Sequence, residues 1–171
     1  MNDSIPAQFD ILRCVIADDE PLALSLLQSL LQLQEGIELA ASCKDGREAL
    51  QAVREFKPDL VFLDIEMPFL SGFDVVRRLQ PEAMPALVFT TAFNQYAIEA
   101  FDVHAVDYVL KPLDPERLDL AVQRARIRLA GELHQQVGSK ASIMSAIGQI
   151  AKSGADAAPG EALYAGAQAT E

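Results

Sequence analysis

Short β-branched apolar runs alternate with longer stretches of helical periodicity from about residue 12 to residue 130. The clearest runs are CVIADD at 14–19, LVFLD at 60–64, LVFTT at 87–91 and DYVLKP at 107–112. They predict strands at Leu12 to Ala17, Ile37 to Ser42, Leu60 to Leu63, Ala86 to Thr90 and Val106 to Leu110. A first helix is expected from Pro21, with Ala23, Leu26, Leu27, Leu30 and Leu31 on its inner face. A second follows Asp45 and Gly46, turns Ala49, Leu50, Val53 and Phe56 inward, and stops at Pro58. A third carries Phe73, Val75, Val76 and Leu79. A short fourth, with Asn94 as N-cap, carries Tyr96, Ile98 and Phe101, and a fifth runs from Pro115 to Ala130 over Leu118, Ala121, Val122, Ala125 and Leu129. Strict alternation of five strands and five helices implies an α/β fold: a doubly wound parallel sheet in order 2-1-3-4-5, with helices on both faces.

The pattern also sets the domain organisation. Residues 1–10 are expected to be an N-terminal extension and 11–130 the globular domain. Residues 131–171, rich in Ala, Gly, Ser and Gln, are expected to be a C-terminal extension with a short helix at about 141–152 and then a flexible tail. A net charge of -11 argues against direct nucleic-acid binding, which depends on neutralising phosphates with Lys and Arg. The polar start lacks the basic and apolar segments of a secretory signal. The leucine-rich stretch from Leu22 to Leu33 is interrupted by polar residues and falls short of the ~20 apolar residues of a membrane span. Cys14 and Cys43 lie inside apolar strands and read as buried thiols rather than a disulfide or a metal site. A cytoplasmic protein with no membrane association is the expectation.

Parallel strands deliver their carboxyl ends to one rim, where ligands of doubly wound sheets bind. Asp18, Asp19, Asp64, Thr91 and Lys111 all follow strands and are expected there. Clustered carboxylates repel one another unless a cation lies among them, and hard oxygen donors suit Mg²⁺, with a backbone carbonyl near Glu66 as a further ligand. Asp64 is then a workable nucleophile, able to form an acyl phosphate. Lys111 offers positive charge to the phosphoryl oxygens, and the Thr91 hydroxyl offers a hydrogen bond. A shift of Thr91 toward a new phosphoryl group would leave a space for Tyr108, which turns the site into a switch. Each residue also has a plainer reading. Asp18, Asp19 and Glu20 could be a solvated helix start, Lys111 a surface lysine, and Tyr108 part of the core. His104 and His134 lack ligand spacing.

At these residues the chain resembles the receiver domain of two-component response regulators, a flavodoxin-like fold, from about Leu12 to Ala130. The likeness rests on IADDE, FLDIEMPFLSG, TTAF and YVLKP in that order. It implies that Asp64 accepts phosphate from a phosphohistidine on a partner sensor kinase or phosphotransfer protein. It further implies that Asp18 and Asp19 arrange Mg²⁺, that Lys111 and Thr91 contact the phosphoryl group, and that Tyr108 is the aromatic switch. Ala92 is the small residue that leaves access to the phosphate, and the Lys111–Pro112 peptide is expected to be cis. The wording of DDEPLA, DIEMPFLSGFDV and TTAFNQYAIEAFDVHAVDYVLKPLDPERL is similar to receivers of the LytR/AlgR type, which precede a DNA-binding domain of mostly β structure. Residues 131–171 offer too few positions, and too little positive charge, for such a domain.

The leading expectation is a phosphorylation-controlled switch whose output is a protein-interaction surface on helix 4, strand 5 and helix 5, including a homodimer. Tyr96, Ile98, Leu120 and Ile127 would supply its apolar contacts, and Arg117, Arg124, Arg126 and Arg128 would pair across it with Asp102 or Asp107. The alternative is the receiver half of a truncated LytR/AlgR-type transcription regulator. A carboxylate-nucleophile phosphatase is remote, because that chemistry needs a second Asp two positions after the nucleophile and Glu66 stands there. The chain is therefore expected not to be an enzyme, apart from self-catalysed phosphoryl transfer to and from Asp64.

Overall fold

The computed structural model describes residues 11–133, so His134 and the helix expected at about 141–152 lie outside the described residues. The chain divides into two units, Met1–Ala130 and Gly131–Glu171, and the first holds the five-stranded sheet. Its elements are β1 (Leu12–Ala17), α1 (Pro21–Gln32), β2 (Ile37–Cys43), α2 (Gly46–Phe56), β3 (Leu60–Asp64), α3 (Gly72–Arg77), β4 (Ala86–Thr91), α4 (Ala97–Asp102) and β5 (Asp107–Leu110). A last helix, α5, begins at 115 and continues to 133. The five strands are parallel and ordered β2-β1-β3-β4-β5, as the alternation of elements predicts. No described helix is long and apolar enough to cross a membrane.

Alternation along each strand sorts the core into two layers. Val15, Ala17, Val61, Leu63, Leu87 and Phe89 pack with residues of α2, α3 and α4. Cys14, Ile16, Leu60, Phe62, Ala86, Val88 and Val109 pack with α1 and α5. Helices α2, α3 and α5 bury the faces their periodicity predicts. Cys14 and Cys43 are both buried and unbonded, and burial pushes both thiols up, Cys43 to about 12 with help from the charges of Glu48 and Asp45.

Two expectations need correction. In α1 the buried residues are Leu24, Leu27 and Leu31, whereas Leu26 is exposed. Leucines crowd this helix on several sides, so hydrophobicity alone sets its rotation only weakly. Asn94 does not cap α4; the helix starts at Ala97 with Tyr96 in the cap position and no side-chain cap bond. The preceding segment is instead held by aromatic contacts, with Phe93 edge-on to Tyr96 and Tyr96 edge-on to Phe73.

Candidate functional site

Strand alternation carries through to the rim. Cys14 and Ile16, Leu60 and Phe62, and Val109 share the α1/α5 layer, so Asp18, Asp64 and Lys111, each an even step further, have the same parity. They meet there. Lys111 Nζ lies 2.8 Å from Asp18 Oδ2, 3.1 Å from Asp64 Oδ2 and 3.4 Å from Glu20 Oε1. Asp18 and Asp64 are almost fully buried, at 2% and 4% exposure. Asp19 and Glu20 are exposed at the mouth, and one carboxylate oxygen from each of Asp18, Asp19, Glu20 and Asp64 falls within a mutual 4.8 Å.

Backbone bonds fix this rim. Asp18 N–H donates to Cys43 O at 3.1 Å, and Lys111 N–H donates to Thr91 O at 2.8 Å, so each end is tied to its neighbouring strand. The Asp18 carboxylate also accepts from Glu20 N–H at 2.9 Å, shaping the turn into α1. The Lys111–Pro112 peptide is cis, as the resemblance implied. Beyond Asp64, Gly72 N–H donates to Ile65 O at 2.9 Å, and Ser71 and Asp74 form a reciprocal capping box that starts α3.

The electrostatics follow from geometry. Burial first, and then the charge of Asp18, raise the Asp64 carboxyl to about 7 against the opposing pull of Lys111. Burial would lower the Lys111 ammonium, but its hydrogen bond to Asp18 and the charges of Asp64 and Asp18 prevail and raise it above its ordinary range. One ammonium thus pairs with three of the four clustered acids. Such an all-oxygen, excess-negative donor set fits a small hard divalent cation.

Thr91 has the other parity, in line with Leu87 and Phe89. Its hydroxyl is fully buried and accepts the Phe93 N–H at 3.2 Å rather than joining Lys111 and the acids. The half-buried Tyr108 donates its hydroxyl to the carbonyl of the same residue, Phe93. Phe93 is therefore gripped at its amide by Thr91 and at its carbonyl by Tyr108. Ala92 is exposed between them. The Glu66 side chain turns away from the acids and accepts the Tyr96 hydroxyl at 2.6 Å.

Two residues escaped the sequence reading. Glu20 joins the acidic group, a possibility that the unbroken DDE run already signalled. Thr90 pairs with Asp64 in register on the same sheet face, and its buried hydroxyl has no partner among the described residues. Only strand register shows that, because the two threonines are equivalent in the sequence.

At the far edge of the sheet, Ile98 (79%), Phe101 (81%) and Ile127 (73%) are exposed rather than core, with Leu110 and Leu120 also in contact with solvent. The arginines expected to reach across an interface bind within the chain. Arg117 forms a two-pronged pair with Asp107 at 2.6 Å, Arg124 joins at 3.1 Å, and Arg126 donates to the carbonyls of Glu35 and Gly36. Asp107 sits at the start of β5, one turn of chain from α5, so the local partners win. Although burial would raise it, these partners hold its carboxyl below the usual range.

Comparison with known proteins gives a consistent result. The family model of the response regulator receiver domain matches residues 14–123. The transcriptional regulatory protein BtsR of Escherichia coli is 47% identical over 116 residues, which cover 68% of this chain and 48% of BtsR. An uncharacterized response regulatory protein of Shewanella oneidensis is 44% identical, over 68% of this chain and 49% of that protein. The chain thus spans about half the length of the curated relatives it matches. Among solved structures, the response regulatory domain of mrkE from Klebsiella pneumoniae superposes with a TM-score of 0.63 at 32% identity, over 68% of this chain and 97% of that one.

Proposed function

The chain belongs to the response regulator receiver family, a module of two-component signalling, and from that premise we propose that Asp64 is its phosphoacceptor. One observation carries the reading: a buried carboxylate stands at the carboxyl edge of the sheet with an ammonium 3.1 Å away and a second buried carboxylate beside it. The Asp64 oxygen attacks phosphorus, a P–O bond forms as the donor's P–N bond breaks, and the leaving imidazole retains the bonding pair. Lys111 places positive charge where the phosphoryl oxygens arrive. Mg²⁺ held by Asp18, Asp19, Asp64 and the Glu66 backbone carbonyl would supply the further positive charge that offsets the acids and the incoming phosphate. The partner is a sensor histidine kinase or a phosphotransfer protein.

Transmission follows from the grip on Phe93. When Thr91 turns to donate its hydroxyl to a phosphoryl oxygen, the Oγ1 that accepts the Phe93 N–H moves with it, and movement of Phe93 alters the carbonyl that Tyr108 holds. Thr91 and Tyr108 are thus the two ends of one switch, with Ala92 leaving the phosphate accessible between them. The output surface is the apolar edge on α4, β5 and α5, which fits a homodimer of receivers; nucleic acid is a poor partner for a chain of charge -11.

Incubation with acetyl phosphate and Mg²⁺, followed by intact-mass measurement, should show a gain of one phosphoryl group that hydroxylamine removes. No gain, or a gain at another residue, rules Asp64 out. On size exclusion the phosphorylated protein should elute as a dimer. An Ile98→Asp/Ile127→Asp variant should remain monomeric while melting as the parent does, because both side chains are exposed. A second reading is favoured by the relatives described as transcriptional regulatory proteins: this receiver serves gene regulation of the LytR/AlgR type. A basic, β-rich segment in the neighbouring coding sequence would support it.

A further inference from the structure

Arg47 and Arg54 on α2 and Arg78 at the end of α3 surround an open cleft of about 500 Å³, floored by Leu50 and Leu70. Among the described residues none of the three guanidiniums is within ion-pair distance of a carboxylate, and Glu55 is the one acid that lines the cleft. Arg54 donates to the Arg78 backbone carbonyl at 3.1 Å, and the Arg47 guanidinium carbon lies over the Phe69 ring at 3.4 Å from its centroid. In a chain with a net charge of -11, three arginines around one cleft form a local concentration of positive charge.

Phe69 supplies an independent observation. Its φ of 70° is in the left-handed region, which disfavours a bulky side chain, and its ring is 67% exposed. The ring buries little of itself and stacks with the Arg47 guanidinium, so it presents a strained, exposed apolar surface beside the cleft. The floor beside it is tightly packed. Leu70 O packs so closely on Gly46 that a Cβ there would lie 2.0 Å from it. The segment also follows Asp64 directly in β3, so it connects the cleft to the rim.

We propose that this cleft between α2 and α3, with the Phe69–Arg47 stack at its rim, docks an acidic segment of a partner protein through one apolar side chain flanked by carboxylates. Charge complementarity selects the occupant: Leu50 and Leu70 receive the apolar group, and Arg47, Arg54 and Arg78 receive the acids. A drug-sized metabolite is less well suited, because such ligands are mostly enclosed by their sites and this cleft is open. A nucleic-acid strand offers anionic groups but no aliphatic side chain for Leu50 and Leu70 to receive.

Fluorescence anisotropy of the full chain with a labelled octapeptide of six glutamates and two central leucines tests this directly. Saturable binding is expected, weakened about tenfold, or ~1.4 kcal/mol, by Arg54→Gln/Arg78→Gln. Phe69→Gly should also weaken it while leaving the melting temperature no lower than the parent's, because left-handed strain is relieved and little burial is lost. The proposal is overturned if no saturable binding occurs, if a glutamine version of the peptide binds equally, if the variants bind like the parent, or if a ten-nucleotide oligothymidylate displaces the peptide.

Discussion

The Asp64→Asn protein should take up no phosphoryl group from acetyl phosphate and should melt above the parent when divalent cations are absent. The two results share one cause. In the folded chain, burial and the neighbouring Asp18 raise the Asp64 carboxyl to about 7. In the unfolded chain it returns to ~3.9. Between those values the folded state holds a proton that the unfolded state has released, so the free energy of unfolding falls as pH rises from ~4 to ~7. The stability associated with a protonated Asp64 is fully present below ~4 and lost once pH passes about 7. A shift of this size corresponds to ~4 kcal/mol at most, and water reaching the rim screens part of it, leaving about 2 kcal/mol. Urea melts of parent and variant should therefore converge near pH 4 and differ most near pH 8. Mg²⁺ at ten times its dissociation constant should restore ~1.4 kcal/mol to the parent and little to the variant. A variant less stable than the parent at pH 8, or equally stabilised by Mg²⁺, would contradict this account.

Gly46→Ala should be among the most damaging single changes in the described domain, although alanine is the better helix former, by at most ~1 kcal/mol and less at this first helical position. Its Cβ would stand 2.0 Å from Leu70 O and 2.6 Å from Leu70 Cβ, and the nearest obstacle is backbone that cannot rotate away. Overpacking of this kind costs about 3 kcal/mol or more, which outweighs the helix gain and removes a large part of a typical domain's stability. The expected fall in melting temperature is roughly 10–15 °C. The segment forced to move carries Phe69 and follows Asp64, so phosphorylation should slow in the fraction that stays folded. Gly131→Ala is the control, since a Cβ there meets nothing within 4 Å and the melt should be unchanged or slightly higher. Equal melting of Gly46→Ala and the parent would show that α2 can slide off the loop freely.

The fold was legible because the strands are short, β-branched and bounded by Pro, Gly and Asp, so their number and parallel arrangement follow from the pattern. The rim acids and Lys111 were legible for the same reason: each directly follows or closes a strand, and parallel strands have only one carboxyl edge. Legibility stopped where several equivalent residues compete. The leucines of α1 occur on both sides of its polar residues, and docking on the sheet chose Leu24, Leu27 and Leu31 over Leu26. Thr90 and Thr91 read alike, yet register sends one to the Asp64 side of the sheet and the other to the Phe93 amide. The arginines of α5 suggested a partner chain, but Asp107 lay close enough to bind Arg117 and Arg124 internally.

The sequence by itself determined which chemistry is available: three strand-end aspartates, a lysine before a proline, and hydrophobic periods that place them on one sheet edge. Periodicity and strand polarity are local properties, and the residues state them directly. Tertiary structure decided what those groups do to one another. It buried Asp64 beside Asp18 and brought Lys111 to 3.1 Å, raising the carboxyl to about 7. It also joined Thr91 and Tyr108 through Phe93, and it set Arg47 on an exposed, left-handed Phe69. Desolvation and pairing depend on distances between segments far apart in the chain, which no local pattern encodes.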